Sequence, residues 1–252
     1  MPTAVIIVPC YNEAERLDGD VFVNFAEKHP NITILFVNDG STDATQNVIE
    51  QIAGRAPERL RVHALEHNSG KAEAVRQGME RAFEMGPDMA GFWDADLATP
   101  LDEIPNFMAA MERDPEFDFL LGSRIRLLGR EVRRSEMRHY LGRIFATVVS
   151  LVLRLAVYDT QCGAKLFRVN EKVMAIFSKP FISRWVFDVE LLARYIGVRK
   201  AHGEKDVRFG VCEIPLNVWR DVAGSKLRTK DFLRSFLDVA KIALVYRKTL
   251  RR

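Results

Sequence analysis

Apolar residues in this chain gather into short runs, and between the runs they recur at helical spacing. Thr3 to Val8 is a β-rich run that stops at Pro9. From Asn12 to Lys28 the chain places Val21, Phe22 and Phe25 at helical spacing, so a helix is predicted there. Ile32 to Val37 reads as the second strand, ended by Asn38-Asp39-Gly40, and Ser41 or Thr42 can cap a helix running to about Ala53. Leu60 to Leu65 is a third strand and His67 to Gly70 a loop. Lys71 to Met85 is a helix closed by Gly86-Pro87, and Met89 to Trp93 is a fourth strand. Strand and helix alternate four times with short connections, which predicts an α/β, Rossmann-like, mainly parallel sheet flanked by helices. Two longer helical patterns follow, over Glu136 to Val157 and Lys230 to Arg252.

A chain of 252 residues with 48% hydrophobic content can bury one large core, and a single domain is expected. No segment reaches the roughly 18 consecutive apolar residues of a spanning helix. Met1-Pro2-Thr3 lacks the basic start of a secretory signal, and the apolar run after it is short. Three widely spaced cysteines, Cys10, Cys162 and Cys212, fit free thiols in a reducing cytoplasmic setting rather than a disulfide framework or a zinc site. The net charge is only +3, but it is unevenly spread. Arg124 to Arg143 holds seven arginines against Glu131 and Glu136, and Lys226 to Arg252 holds nine Lys or Arg against Asp231 and Asp238. One end of the molecule is therefore expected to meet an anionic ligand or surface. Neither zinc-finger spacing nor an RNA-binding aromatic signature is present, so nucleic acid is not the expected partner.

Polar residues collect at the ends of all four predicted strands: Tyr11-Asn12-Glu13, Asn38-Asp39, His67 to Lys71, and Asp94 with Asp96. In open α/β sheets, ligands sit outside the carboxyl ends of the strands. Alternation along an extended chain puts Asp94 and Asp96 on one face, where two like charges need something positive between them. Mg²⁺ or Mn²⁺ fills that role where phosphates must also be held. The plainer alternative is a solvated Asp-x-Asp turn capping the next helix. Neither Gly-x-Gly-x-x-Gly after the first strand nor Gly-x-x-x-x-Gly-Lys-Ser/Thr occurs, so a bound phosphate would rely on a cation and side chains.

Val8-Pro9-Cys10-Tyr11-Asn12-Glu13, Val37 to Asp43, Asn68-Ser69-Gly70-Lys71, Asp94-Ala95-Asp96 and Gly122-Ser123-Arg124 together resemble the inverting family 2 glycosyltransferases of the GT-A fold. Asp159 to Phe167, Arg184 to Leu192 and Gly224 to Leu227 resemble the dolichyl-phosphate glucosyltransferases within it, relatives of the dolichyl-phosphate mannose synthases. The resemblance implies a GT-A catalytic domain over residues 1–225 followed by a basic amphipathic segment over 226–252. It implies a nucleotide sugar donor, a polyprenyl phosphate acceptor, and Mg²⁺ or Mn²⁺ on Asp94 and Asp96. The donor-binding set it implies is Pro9, Tyr11, Glu13, Asp39, Lys71, Asp94, Ala95, Asp96, Arg220 and Lys226. Asp96, Arg124, Arg134 and Asp159 would form the catalytic set, with Arg124 and Arg134 facing the acceptor phosphate. Ala98 stands where mannose synthases commonly carry Gln, as in the glucosyl branch. The eukaryotic glucosyl enzymes begin with a membrane helix that has no counterpart in this sequence.

A hydroxyl acceptor needs a general base, whereas a phosphate monoester, with a second pKa near 6, is already largely ionised at pH 7. Arginines suit such an acceptor, and Arg124, Arg126, Arg130, Arg133, Arg134 and Arg138 supply them. Asp159 is the best placed base if one is needed, and is expected rather to have a structural or sugar-positioning role. The stripe Phe232, Leu233, Phe236, Leu237, Ala240, Ala243 and Leu244, set among basic residues, predicts a helix lying on a membrane surface. The helix after Glu136 is expected to pack on the protein's own core or on a second subunit, which leaves a homodimer or a membrane-protein partner open. The expected activity is metal-dependent inverting transfer of glucose from UDP-glucose to a polyprenyl phosphate, peripheral on the cytosolic face of a membrane. The alternatives are the same chemistry with GDP-mannose or another nucleotide sugar, and a non-catalytic nucleotide-sugar-binding adaptor.

Overall fold

The computed structural model describes residues 1–133, 136–204, 207–222 and 229–250, without the side chains of 133, 136–139, 207 and 229–233. Four strands, β1 (Ala4–Cys10), β2 (Ile32–Asn38), β3 (Leu60–Ala64) and β4 (Met89–Trp93), are followed in turn by α1 (Gly19–Lys28), α2 (Thr45–Arg55), α3 (Lys71–Glu84) and α4 (Glu103–Arg113). The second half adds β5 (Phe119–Ser123), β6 (Glu131–Arg133), α5 (Glu136–Leu153), β7 (Ala164–Arg168), α6 (Glu171–Phe177) and α7 (Phe187–Ala201). It ends with β8 (Val211–Pro215), β9 (Val218–Arg220), α8 (Thr229–Val245) and α9 (Arg247–Leu250).

Seven strands form one sheet in the order β3-β2-β1-β4-β7-β5-β8, and β6 pairs with β9 in a separate parallel ribbon. Every strand of the main sheet is parallel to the others except β7, which runs antiparallel between β4 and β5. The carboxyl ends of the parallel strands therefore share one rim, and the loop entering β7 arrives at that same rim. Strand order reverses direction at β1 and β4, which opens a crevice there.

The sheet is covered on both faces, which is why its strands read as continuous apolar runs. Ile6, Val8 and Cys10 of β1 face α1, α2 and α4, while Val5 and Ile7 face the side that α3, α5, α7 and α8 cover. Helix α3 lies close on the sheet because Gly78 leaves room: a Cβ there would stand 2.7 Å from Ile7 Cγ2.

Strand β1 runs through Pro9 to Cys10, the pattern after Lys230 divides into α8 and α9, and three further boundaries differ from the sequence expectation for a local reason. Helix α1 begins at Gly19 rather than Asn12, because Asn12 has φ +51° and its side chain accepts from the Thr42 N–H at 2.9 Å. Ser41 and Thr42 do not cap α2. Ser41 donates to Asn38 Oδ1 instead, and the helix starts at Thr45. Helix α5 ends at Leu153, where Arg154 takes φ +53°.

At the end of the sheet opposite the rim, buried Asp118 accepts from Tyr195 Oη at 2.6 Å, Lys172 Nζ at 2.9 Å and Asn170 Nδ2 at 2.7 Å. Burial pushes its carboxyl up, but these donors outweigh burial and hold it below its ordinary value. The stabilisation it brings is therefore present above the unfolded carboxylate pKa, about 3.9, and is lost as the pH falls through the lower folded value. We predict that Asp118→Ala costs about 3–5 kcal/mol in urea unfolding at pH 7. The difference from the parent should narrow below about pH 4; a gap that stayed constant would contradict this role.

Candidate active site

Asp94 and Asp96 close β4 at the rim, and Asp94 is held from three sides. Its N–H donates to the Gly163 carbonyl at 3.0 Å, its Oδ1 accepts from Lys71 Nζ at 2.5 Å, and its carboxylate lies flat against the backbone of Gly163. A Cβ on Gly163 would stand 1.9 Å from Asp94 Oδ2, so only glycine fits between β7 and this carboxylate. Asp96 accepts from the Ala98 N–H at 3.1 Å and has Arg16 Nη2 at 3.9 Å. Burial and then the neighbouring Asp94 push the Asp96 carboxyl above its ordinary value. Both aspartates thus meet protein cations, Lys71 and Arg16. Ala95 between them is buried and turns away from the crevice.

Lys71 is placed by the loop that precedes α3. Buried Asp39, at the end of β2, accepts from the Ser69 N–H at 2.7 Å, the Gly70 N–H at 2.9 Å and Asn68 Nδ2 at 3.2 Å. Both Asp39 oxygens are thereby engaged by that loop, which makes it a positioning carboxylate at the predicted donor pocket. Burial would push the Lys71 ammonium down, yet Asp94 and then Asp188 more than offset it and keep it protonated. Trp185, 43% exposed, has its ring centroid 5.8 Å from Lys71 Nζ.

Of the residues expected at the end of β1, Tyr11 is exposed and Pro9 and Glu13 are half-buried. Glu13 pairs with Arg16 at 3.2 Å and its N–H donates to Thr45 Oγ1 at 2.8 Å, so the β1 and β2 loops are tied together beside Asp96.

Across the rim, Arg124 follows β5 and is clamped by Asp159. Its Nε and Nη2 donate to the two carboxylate oxygens at 2.6 and 2.7 Å, and its own N–H donates at 3.1 Å. Burial opposes the charge on this guanidinium, but Asp159 and, further off, Asp94 keep it firmly cationic. Asp159 is fixed in turn, since Glu213 of β8 accepts from the Tyr158 and Asp159 N–H groups at 2.7 Å each. Both Asp159 oxygens thus accept from Arg124, and Oδ1 also accepts from the Gln161 N–H at 3.1 Å. The Arg220 N–H donates to the Ala98 carbonyl at 3.0 Å, which brings β9 over the aspartate turn, and the Arg220 side chain meets Glu131 at 3.3 Å. Arg134 and Lys226 lie outside the described residues.

The structure adds residues that motif reading passed over. Lys165, fully buried in the middle of β7, pairs with Asp188 at 2.6 Å, and Gln161 Nε2 stands 3.4 Å from the other Asp188 oxygen. Asp188 thus backs Lys71 from behind. The signal was available: a lysine inside the apolar run Ala164 to Phe167, and an acid inside Val186 to Leu192, each require a buried partner. Arg16 and Glu213 carry no comparable signal, because an exposed-looking helix charge and a strand glutamate are ordinary residues. Among the described residues, no group of three or more His, Cys, Asp or Glu side chains is arranged to hold a metal, so any cation here would share its ligands with a phosphate.

Residues 5–173 match the model of the family described as glycosyl transferase family 2. A dolichyl-phosphate beta-glucosyltransferase of Drosophila melanogaster is 34% identical over 236 residues, covering 88% of this chain and 68% of the relative. One from Trichomonas vaginalis is 29% identical over 256 residues, covering 97% and 72%. The crystal structure of glucosyl-3-phosphoglycerate synthase from Mycobacterium tuberculosis, in complex with Mn²⁺, uridine diphosphate and glucosyl-3-phosphoglycerate, aligns with a TM-score of 0.67 at 17% identity. That alignment covers 97% of this chain and 80% of the neighbour, and so extends past residue 173, where the family match ends. The rim described above is thus the crevice of a GT-A fold, and the chain belongs to glycosyl transferase family 2: it is a glycosyltransferase.

Proposed function

We propose that this glycosyltransferase moves glucose from UDP-glucose to a polyprenyl phosphate, inverting the anomeric carbon. The observation that carries the reading is the meeting, at one rim, of the Asp94–Asp96 pair with an arginine held rigid by Asp159. The acidic pair suits a diphosphate carried with a divalent cation, and the arginine suits a phosphate nucleophile. The names of the Drosophila melanogaster and Trichomonas vaginalis relatives, dolichyl-phosphate beta-glucosyltransferases, agree with both halves.

The donor set fits a cation. Asp94 and Asp96 offer hard oxygens on one side of a turn, and Lys71 already occupies the charge position beside Asp94. Mg²⁺ or Mn²⁺ on these two carboxylates would neutralise the charge that builds on the departing nucleoside diphosphate. Pro9, Tyr11, Glu13 and Asp39 would line the nucleoside side of the crevice. Arg220, on the ribbon above Ala98, and Lys226 would close over the donor phosphates.

Arg124 is presented on the acceptor side with Nε and Nη2 committed to Asp159, leaving Nη1 as the edge that can donate to an acceptor phosphate oxygen. That phosphate is already ionised and needs no base. A carboxylate in the Asp159 position therefore serves by holding the arginine fork in one orientation, which lowers the ordering cost at the moment of reaction.

Three outcomes test this reading. Incubation with labelled UDP-glucose, Mn²⁺ and a polyprenyl phosphate should give an organic-extractable, mild-acid-labile labelled lipid, and no such product from any polyprenyl phosphate would overturn the acceptor assignment. Arg124→Ala and Asp159→Asn should each lower kcat by roughly a hundredfold, and the double variant should be little worse than Arg124→Ala alone, since residues acting as a unit are not additive. If the double variant lost the two effects multiplied together, Asp159 would be acting independently, as a base. Finally, Lys71→Met should raise the nucleotide-free affinity for Mn²⁺ by about tenfold, or about 1.4 kcal/mol, in an electron paramagnetic resonance titration, because the competing ammonium is gone. An unchanged or weaker affinity would contradict its place as the resident counter-charge.

A further inference from the structure

Helices α5 and α8 lie side by side on the same core. Phe145, Ala146, Val149 and Leu153 turn α5 inward, Val239 and Ile242 do so for α8, and Phe145 meets Phe236 between them at 5.5 Å in an edge-to-face contact. Two helices resting on one core present their opposite faces outward together. On α5 that outward face is Tyr140, Ile144, Thr147 and Leu151, spaced by four, three and four residues. On α8 it is Arg234, Leu237, Lys241 and Leu244, spaced by three, four and three.

These side chains are open to solvent where a soluble helix would carry polar groups. Ile144 is 56% exposed, Leu151 74%, Leu237 65% and Leu244 69%, with Val245 beside them. Part of the stripe expected from the sequence is spent on the core: Phe236 packs inward on Phe145, Ala243 is half-buried, and Phe232 and Leu233 lie outside the described side chains. The outward surface instead unites leucines of α8 with apolar positions of α5, a helix expected from its sequence to pack on the protein's own core or on a second subunit.

Charge selects the occupant. From Tyr140 to Arg154 there is no acidic residue, and from Arg234 to Leu250 there is only Asp238, which accepts from Ser183 Oγ at 2.7 Å and has Lys241 Nζ at 3.6 Å. Arg154, Arg234, Lys241, Arg247 and Lys248 are all exposed along or at the ends of the pair. Two copies of such a surface would set cation against cation, whereas leucine alternating with lysine or arginine at helical spacing matches the interface of an anionic bilayer. Among the described residues no helix is long and apolar enough to cross a membrane, so this contact would be peripheral.

We propose that the outward faces of α5 and α8 form one docking surface for an anionic lipid bilayer. The proposal rests on the lipid-phosphate reading of the active site and adds where the membrane is met. It is tested with the full chain in co-sedimentation with vesicles of phosphatidylcholine plus phosphatidylserine and with pure phosphatidylcholine vesicles. The parent should bind the anionic vesicles strongly and the neutral ones weakly. Leu237→Asp/Leu244→Asp, and separately Ile144→Asp/Leu151→Asp, should each lower partitioning by more than about tenfold. Arg234→Gln/Lys241→Gln should lower it by about tenfold on anionic vesicles only. All variants should melt like the parent by circular dichroism and keep full turnover on a short, water-soluble prenyl phosphate. Variants that bind vesicles as the parent does, or a light-scattering dimer that the substitutions split, would overturn the proposal. Failure of the prenyl phosphate assay with the parent would overturn the acceptor reading, and vesicle binding reports on the docking surface separately.

Discussion

Two carboxylates one residue apart at the end of a buried strand form a local excess of negative charge that the fold must balance. Here the balance is struck by protein cations: Lys71 on Asp94 and Arg16 near Asp96. The architecture around the rim follows from this need. Asp39 ties the loop that delivers Lys71, Asp188 and Lys165 form a neutral pair behind it, and Gly163 lets β7 run close enough to press on the Asp94 carboxylate. Removing Lys71 leaves Asp94 without its cation, and removing Asp188 leaves Lys165 without its carboxylate; an unpaired charge in a buried or half-buried place is costly.

The single reversed strand matters as much as the charges. Because β7 is antiparallel between β4 and β5, the segment that leads into it reaches the functional rim from the second half of the chain. Asp159 therefore comes to the rim and orients Arg124, while Gly163 abuts Asp94 a few residues later. The Asp94 side and the Arg124 side of the rim are joined through the five residues Asp159 to Gly163. A sheet with β7 parallel would have sent that segment to the opposite end.

Much of this was legible in the amino-acid sequence, and the unread parts have physical causes. Strands β1, β2 and β4 announced themselves because strands buried on both faces are largely unbroken apolar runs, and Met89 to Trp93 matches β4 residue for residue. Asp94 and Asp96 were legible because a charge pair has no place at a buried strand end without a purpose. The short strands β6 and β9 were not, since three residues carry no readable period. Nor was the start of α1, where asparagine in a left-handed conformation satisfies a neighbouring loop instead of helix. Asp159 read as a structural or sugar-positioning carboxylate rather than a base, but the fork of Arg124 across its oxygens, made by residues 35 apart in sequence, was not legible. The α8 stripe was read one face too simply, because helical spacing alone does not say which apolar residues the core will claim.

The central claim is that the acidic turn after β4 exchanges protein counter-charge for a cation brought in with a diphosphate. A crystal structure of the protein with Mn²⁺ and uridine diphosphate tests it most directly. The account predicts manganese anomalous density touching Asp94 or Asp96 and both phosphates, with Lys71 Nζ displaced from Asp94 Oδ1. Density for the nucleotide with Lys71 still on Asp94 and manganese bound elsewhere would contradict it.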